Sequence, residues 1–182
     1  AVPSRPAEPP NKWVMSVPGI AVLYVSAGAQ EQIAPTKPGR VSVRSGWPFP
    51  HYDLDWAESA TRYQGGALNW IGICTLAESL ALQDELGADR IAERVIDLTD
   101  LLIEKLDHLP VTLTSSRDAA HRSSFLTFTL GTVERDEALI KASEAAGVIF
   151  VLRGGGLRVG THVWNDASDL DRLAELIESV TR

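Results

Sequence analysis

Few residues in this sequence have types and surroundings suited to chemistry. Lys12 stands in NKWVMSVPGIAVLYV (11–25), directly ahead of a tryptophan, a Pro-Gly turn and an apolar run. An amine so placed can attack a carbonyl or take a proton. The plain alternative is a solvated surface charge, the usual state of a lysine near a terminus. Arg62, Arg153 and Arg158 share that surface reading. Arg158, however, lies between Leu157 and Val159 and so points off a strand, where a guanidinium can clamp a carboxylate through two parallel hydrogen bonds. The glycines of RGGGLRVG (153–160) miss G-x-G-x-x-G at Val159 and read as a turn, and no Walker sequence is present. His51, His108, His121 and His162 lack metal-ligand spacing, so no metal site is expected. Cys74, the only cysteine, falls in an apolar helical pattern and reads as a small buried thiol. One cysteine builds neither a disulfide framework nor a cysteine zinc site.

The elements that must position these residues follow from periodicity. GIAVLYVS (19–26) reads as a buried strand, bounded by Pro18-Gly19 and Gly28. Residues 27–56 are rich in proline, glycine and aromatics and read as an irregular segment across a site or interface. From Leu68 to Leu86 the pattern is helical, with Ile73, Leu76, Leu80 and Leu82 on its apolar side and Gly87 as a stop. Ile91, Val95, Leu98, Leu102 and Leu106 mark a second helix. VTLTSS (111–116) and SSFLTFTLG (123–131) alternate as strands do, and 134–146 is an amphipathic helix ending at Gly147. VIFVLR (148–153) and LRVGTHV (157–163) form a hairpin around GGG. The last helix opens at Asp166, with Asp169 completing a capping box, and turns Leu170, Leu173, Ile177 and Val180 inward. This order predicts an α/β fold of α+β character, a mixed or antiparallel sheet covered by helices.

Composition narrows the function classes. The chain has 182 residues, is 45% hydrophobic and carries net charge −7 without a basic cluster. Nucleic acid is therefore excluded as the expected partner, since phosphate binding needs a basic face. No apolar run approaches the roughly 20 residues that span a bilayer, so no membrane partner is expected. AVPSRPAEPP (1–10) has no apolar core of a secretory signal and reads as a tail rather than a folded element. Together these make the cytoplasm the expected compartment. The chain starts at Ala1, and its one methionine is Met15; the expectation is a processed, trimmed or partial chain.

Taken together, four stretches resemble the class V (fold type I) aminotransferases that use pyridoxal 5′-phosphate, the superfamily that includes the cysteine desulfurases. NKWVMSVPGIAVLYVS resembles the segment with the cofactor lysine. RYQGGALNWIGICTLAESLALQDELG (62–87) resembles the Arg-aromatic-x-Gly-Gly-Thr-x-Asn element and its helix. HRSSFLTFTL (121–130) is similar to a strand of the small C-terminal domain. LRVGTHVWNDASDLDRLAELI (157–177) is similar to the Arg-x-Ser-x-His-x-Tyr-Asn ending and final helix. The resemblance implies a fold: the C-terminal small domain of a fold type I enzyme plus the last strand and long helices of its large domain. Residues 1–10 would be a tail outside the family, 11–60 a remnant of the cofactor-binding large domain with a crossover, and 61–182 a helical linker and the small domain.

It also implies roles. Lys12 would carry pyridoxal phosphate as a Schiff base and then act as base at the substrate's α-carbon, with Asn11 beside it. Gly66 and Ala67 would approach the cofactor phosphate. Arg158 would bind the carboxylate of an amino-acid substrate, with Arg153 as second candidate. Asn69 and Asn165 would be structural. The sequence departs from the family at Ala67, where a threonine is usual, and at Asn11, where His or Tyr is common. Gly154–Gly156 occupy the loop that holds a reactive cysteine in desulfurases, which argues against a typical desulfurase. Family members carry a long stretch ahead of the lysine, with the aspartate that pairs the pyridine nitrogen. The expectation is that these residues are not competent alone and work as a homodimer or with a chain supplying that half. The alternative is a non-catalytic truncated homologue acting as an interaction or dimerisation module.

Overall fold

The computed structural model describes residues 5–8, 12–45 and 54–182. The chain divides into two compact units, Ala1–Glu85 and Leu86–Arg182.

In the first unit, β1 (Arg5–Glu8) pairs antiparallel with β2 (Val22–Tyr24). Part of the segment expected to be an unfolded tail is therefore a strand, and β2 uses only three residues of the expected run. Val22, Leu23 and Tyr24 are about half exposed, and Val25 is the buried residue beside them. The expectation of a buried strand is thus corrected: β2 belongs to a two-stranded ribbon, which buries little. A short helix, α1 (Ala27–Gln30), and a 3₁₀ turn over Ala60–Tyr63 punctuate the irregular stretch. Val43 and Trp56 form an isolated bridge across it.

The helix α2 (Trp70–Leu86) lies where periodicity places it, but its apolar side is not its packed side. Gly72, Leu76 and Ser79 are its buried residues, whereas Leu80 and Leu82 are nearly half exposed and Ile73 is exposed. Cys74 is likewise exposed rather than a buried core thiol. The physical reason is a ring of apolar residues on α2 with no single amphipathic stripe. Hydrogen bonding, not apolar patterning, chooses its packed face.

The second unit opens with α3 (Ala88–Asp107), whose Val95, Leu98, Leu102 and Leu106 are buried as the heptad-like spacing predicts. Four antiparallel strands follow in the order β3 (Thr112–Leu113), β4 (Phe125–Thr129), β6 (Gly156–Gly160), β5 (Val151–Arg153). All are shorter than the sequence alternation suggests. The expected start of the hairpin at Val148 is corrected to Val151, because Val148–Phe150 lies outside the ladder. Gly154 and Gly155 close the β5–β6 hairpin with φ of 65° and 80°, the left-handed pair that a two-residue type I′ loop requires. Between β4 and β5 runs α4 (Val133–Ala146). The chain ends in α5 (Ala167–Thr181), whose N-cap Asp166 and Asp169 complete the expected capping box. Bonds from the Ser168 hydroxyl and the Ser168 and Asp169 N–H groups hold the Asp166 carboxyl below its usual pKa.

Strand alternation divides this sheet into two faces. Leu126, Phe128, Leu157 and Val159 are buried in one core with leucines of α3, α4 and α5. Phe125, Thr127, Val151, Arg153 and Arg158 occupy the opposite face.

Candidate active site

Lys12 opens a turn in which the Met15 N–H donates to the Lys12 carbonyl at 2.9 Å. Met15 takes a left-handed φ of 56°, which few non-glycine residues adopt. The Lys12 side chain is exposed, and no carboxylate pairs with it among the described residues. What fixes this turn is the polar side of α2. Gln83 Nε2 donates to the Trp13 carbonyl at 3.3 Å, and the Ser79 hydroxyl donates to the Val14 carbonyl. The Ser16 and Thr75 hydroxyls share a bond of 3.4 Å. Thr75, Ser79 and Gln83 recur every fourth residue, so they stack along one helix face.

Gly72 extends that face toward the N-terminus of α2. A Cβ there would lie 2.6 Å from Asn69 Nδ2 and 3.1 Å from Ile20 Cβ. Asn69 links the two sequence motifs directly. Its Nδ2 donates to the Gly19 carbonyl at 3.1 Å, and its Oδ1 accepts from the Gly72 N–H at 3.0 Å. The Pro18-Gly19 turn after Lys12 is thereby tied to the residue two positions after Ala67.

The glycine element ahead of Asn69 is backed by close main-chain contact. A Cβ at Gly39 would come within 2.5 Å of Gly65 carbonyl atoms, and Tyr63 donates its hydroxyl to the Ile33 carbonyl at 2.8 Å. Gly66 faces open space, with nothing within 4 Å of an added Cβ. Among the described residues, the N–H groups of Gly65, Gly66 and Ala67 meet no acceptor. Consecutive free amides of this kind suit an anion such as a phosphate. Ala67 offers only its N–H. These residues fit a phosphate-bearing aldehyde cofactor: a free amine on an anchored turn, and unsatisfied donors in the element tied to it. Asn11 lies outside the described residues.

The arginines lie in the second unit. Arg158 in β6 pairs with Thr127 of β4 and Val151 of β5, half-buried on the face away from the helices. Its guanidinium lies 5.1 Å from the Phe125 ring centroid. Arg153 is on the same face, exposed, opposite Gly156. Asn165 is structural: its Oδ1 accepts from the His162 N–H at 2.9 Å and its Nδ2 donates to Asp169 Oδ2 at 3.0 Å. His162 is buried and stacks on Trp164, with ring centroids 3.6 Å apart. A cavity of about 280 Å³ lies beside Phe150, Thr161 and Leu170 and includes none of the residues singled out from sequence as catalytic or binding groups.

Sequence reasoning missed the Thr75–Ser79–Gln83 stripe and Phe125. The first had a usable signal: hydrogen-bonding side chains every fourth residue inside an otherwise apolar helix. The second had none, because its role depends on strand register.

The family model for aminotransferase class-V matches residues 11–173. The chain belongs to that family. Its folded relatives agree. The apo cysteine desulfurase from Thermococcus onnurineus NA1 superposes with a TM-score of 0.79 at 19% identity, over 92% of this chain and 44% of that one. The cystine C–S lyase C-DES, in complex with its product cysteine persulfide, gives 0.78 at 21% identity over the same shares. A C-DES variant carrying glycine covalently linked to its PLP cofactor gives 0.78 at 21% identity, over 91% of this chain and 43% of that one. At these identities the likeness shows the fold, that of fold type I enzymes. The chain spans less than half the length of these relatives. No curated protein matches the sequence.

Proposed function

We propose that this chain supplies the lysine, phosphate-facing amides and carboxylate-binding arginine of a class V enzyme that uses pyridoxal 5′-phosphate on an amino acid. The reaction would be a transamination, elimination or epimerisation. The observation that carries this reading is the mounting of Lys12: its turn is held by Ser79 and Gln83 of α2, while its amine stays exposed. A surface lysine needs no such mount. Asn69 adds to the reading by joining that turn to the glycine element.

Bound pyridoxal phosphate supplies the electron sink. Lys12 would hold the cofactor through its amine and would take or return the proton at the substrate α-carbon. The Gly65–Ala67 amides would hold the phosphate, and Arg158 would orient the substrate by its carboxylate. The β5–β6 hairpin turns through Gly154 and Gly155 with no thiol, which speaks against sulfur transfer at that loop. For partners, we propose a second copy of this chain or one that supplies the family's N-terminal half. Residues 11–60 would be the large-domain remnant and crossover of that enzyme, and 61–182 its helical linker and small domain. For compartment we keep the cytoplasm as the default; among the described residues no helix is long and apolar enough to cross a membrane.

A second reading, a non-catalytic interaction or dimerisation module, is favoured by α2. Trp70 is 66% exposed and Ile71 76%, with Leu80 and Leu82 also uncovered, an apolar patch of the kind that seeks a partner. Light scattering across concentrations tests association, and a strictly monomeric profile counts against it. The enzyme reading is tested by incubating the chain with pyridoxal phosphate, reducing with borohydride and mapping the adduct. One stoichiometric adduct on Lys12, absent in Lys12→Ala, is expected. Scattered labelling of Lys37, Lys105 and Lys141, unchanged in the variant, would refute it.

A further inference from the structure

The helix-free face of the second unit's sheet carries both arginines in one geometry. Val151 stands directly opposite Arg158, and Arg153 opposite Gly156. Opposed residues share a face, as do residues two apart on a strand, so Arg153 and Arg158 are diagonal neighbours on adjacent strands. Such diagonal neighbours lie about 7–8 Å apart, within easy reach of two guanidinium groups.

The rest of this face leaves both cations available. Its strand positions hold Thr127, Phe125, Val151 and glycines, with no acidic residue. Three other basic residues of this unit do have carboxylate partners: Arg117 pairs with Asp107, Arg122 with Asp100 and Lys105 with Asp171. Arg153 and Arg158 have no carboxylate partner among the described residues. What sets these two apart is that strand register puts them side by side on one face. Like charges so close repel unless an anion lies between them.

Arg158 is also pre-oriented. A Cβ at Gly160 would sit 2.8 Å from Phe125 ring carbons, so the missing side chain lets that ring lie over β6. The guanidinium then stacks on the ring at 5.1 Å, which leaves its in-plane donors free. The Thr127 hydroxyl, directly across from Arg158, adds a donor at the same place.

We propose that Arg158 and Arg153 bind the two carboxylates of one ligand, so that the substrate is an aminodicarboxylic acid: the α-carboxylate on Arg158, the distal one on Arg153. This rests on the reading of Arg158 as the substrate-carboxylate residue. It adds the substrate class and a use for Arg153.

The test needs no cofactor. The full chain is titrated with succinate, glutarate and butyrate at constant ionic strength, following arginine Nε–Hε NMR signals. A dicarboxylate should bind about tenfold more tightly than butyrate, one charge-assisted contact's worth. Arg153→Gln should abolish that preference and keep butyrate binding; Arg158→Gln should abolish both. Equal affinities, no binding, or a preference untouched by Arg153→Gln would each overturn the proposal. The borohydride adduct on Lys12 separates the two readings. An adduct without dicarboxylate preference removes only this inference; a preference without an adduct keeps the two-arginine site and removes the cofactor reading.

Discussion

Gly72→Ala tests how the Lys12 turn is held. In an unconstrained helix interior, this substitution stabilises by about 1 kcal/mol through propensity. Here the new Cβ meets Asn69 Nδ2 at 2.6 Å, Asn69 Cγ at 2.9 Å and Ile20 Cβ at 3.1 Å. If Asn69 and Ile20 hold their places, overpacking costs roughly 1–3 kcal/mol. If Asn69 moves away, it gives up its bonds to the Gly19 carbonyl and the Gly72 N–H, about 1 kcal/mol each. Either route exceeds the propensity gain, and the net effect is a loss of about 1 kcal/mol. Local opening at the start of α2 should therefore rise roughly fivefold. Native-state hydrogen exchange of the first α2 amides reads this directly. Ala77→Gly, at an exposed position of the same helix, calibrates propensity in place. If Gly72→Ala slows exchange by the propensity amount, the Gly19–Asn69–Gly72 tie does not exist and the Lys12 turn lacks its anchor at the start of α2.

Other outcomes follow from the same structure. Phe128 is fully buried in the second unit's core, so Phe128→Ala should cost about 3–5 kcal/mol in urea unfolding; a cost under about 1 kcal/mol would contradict that packing. Asp166 has a folded pKa below its unfolded value, so its contribution is complete above about pH 4 and fades as pH falls through the lower folded value. Asp166→Asn should flatten that part of the acid stability profile, and an unchanged profile would exclude the cap as its source. Cys74 is exposed on α2, so a thiol reagent should label it without denaturant. Labelling that slows as concentration rises would locate an association surface on α2; slow labelling at every dilution would show that Cys74 is not exposed.

Helices were legible where one residue type dominated one face. The leucines of α3, the Gly147 end of α4 and the Asp166 cap of α5 announce themselves because their determinants are local. The packed face of α2 was not, because Ile73, Leu80 and Leu82 outweigh Ser79 and Gln83 in any count of hydrophobicity. The Lys12 segment was legible as a family motif, but the support of its turn was not. That support comes from residues up to seventy positions away, a separation across which sequence spacing carries no geometry.

The order of the motifs, from the lysine segment through the glycine element to the arginine ending, is a property of the sequence alone, and it determines the family. The helical periods and caps belong to the same local code. Tertiary structure decided the rest. It turned a polar stripe of α2 into the mount of Lys12 and left Gly66 facing open space. Strand register set Arg153 and Arg158 side by side over one face and laid Phe125 against the second of them. Register fixes these neighbours because a slip of one residue would send every side chain of β6 to the other face, and no local pattern in the sequence specifies which residue of β4 lies across from Gly160.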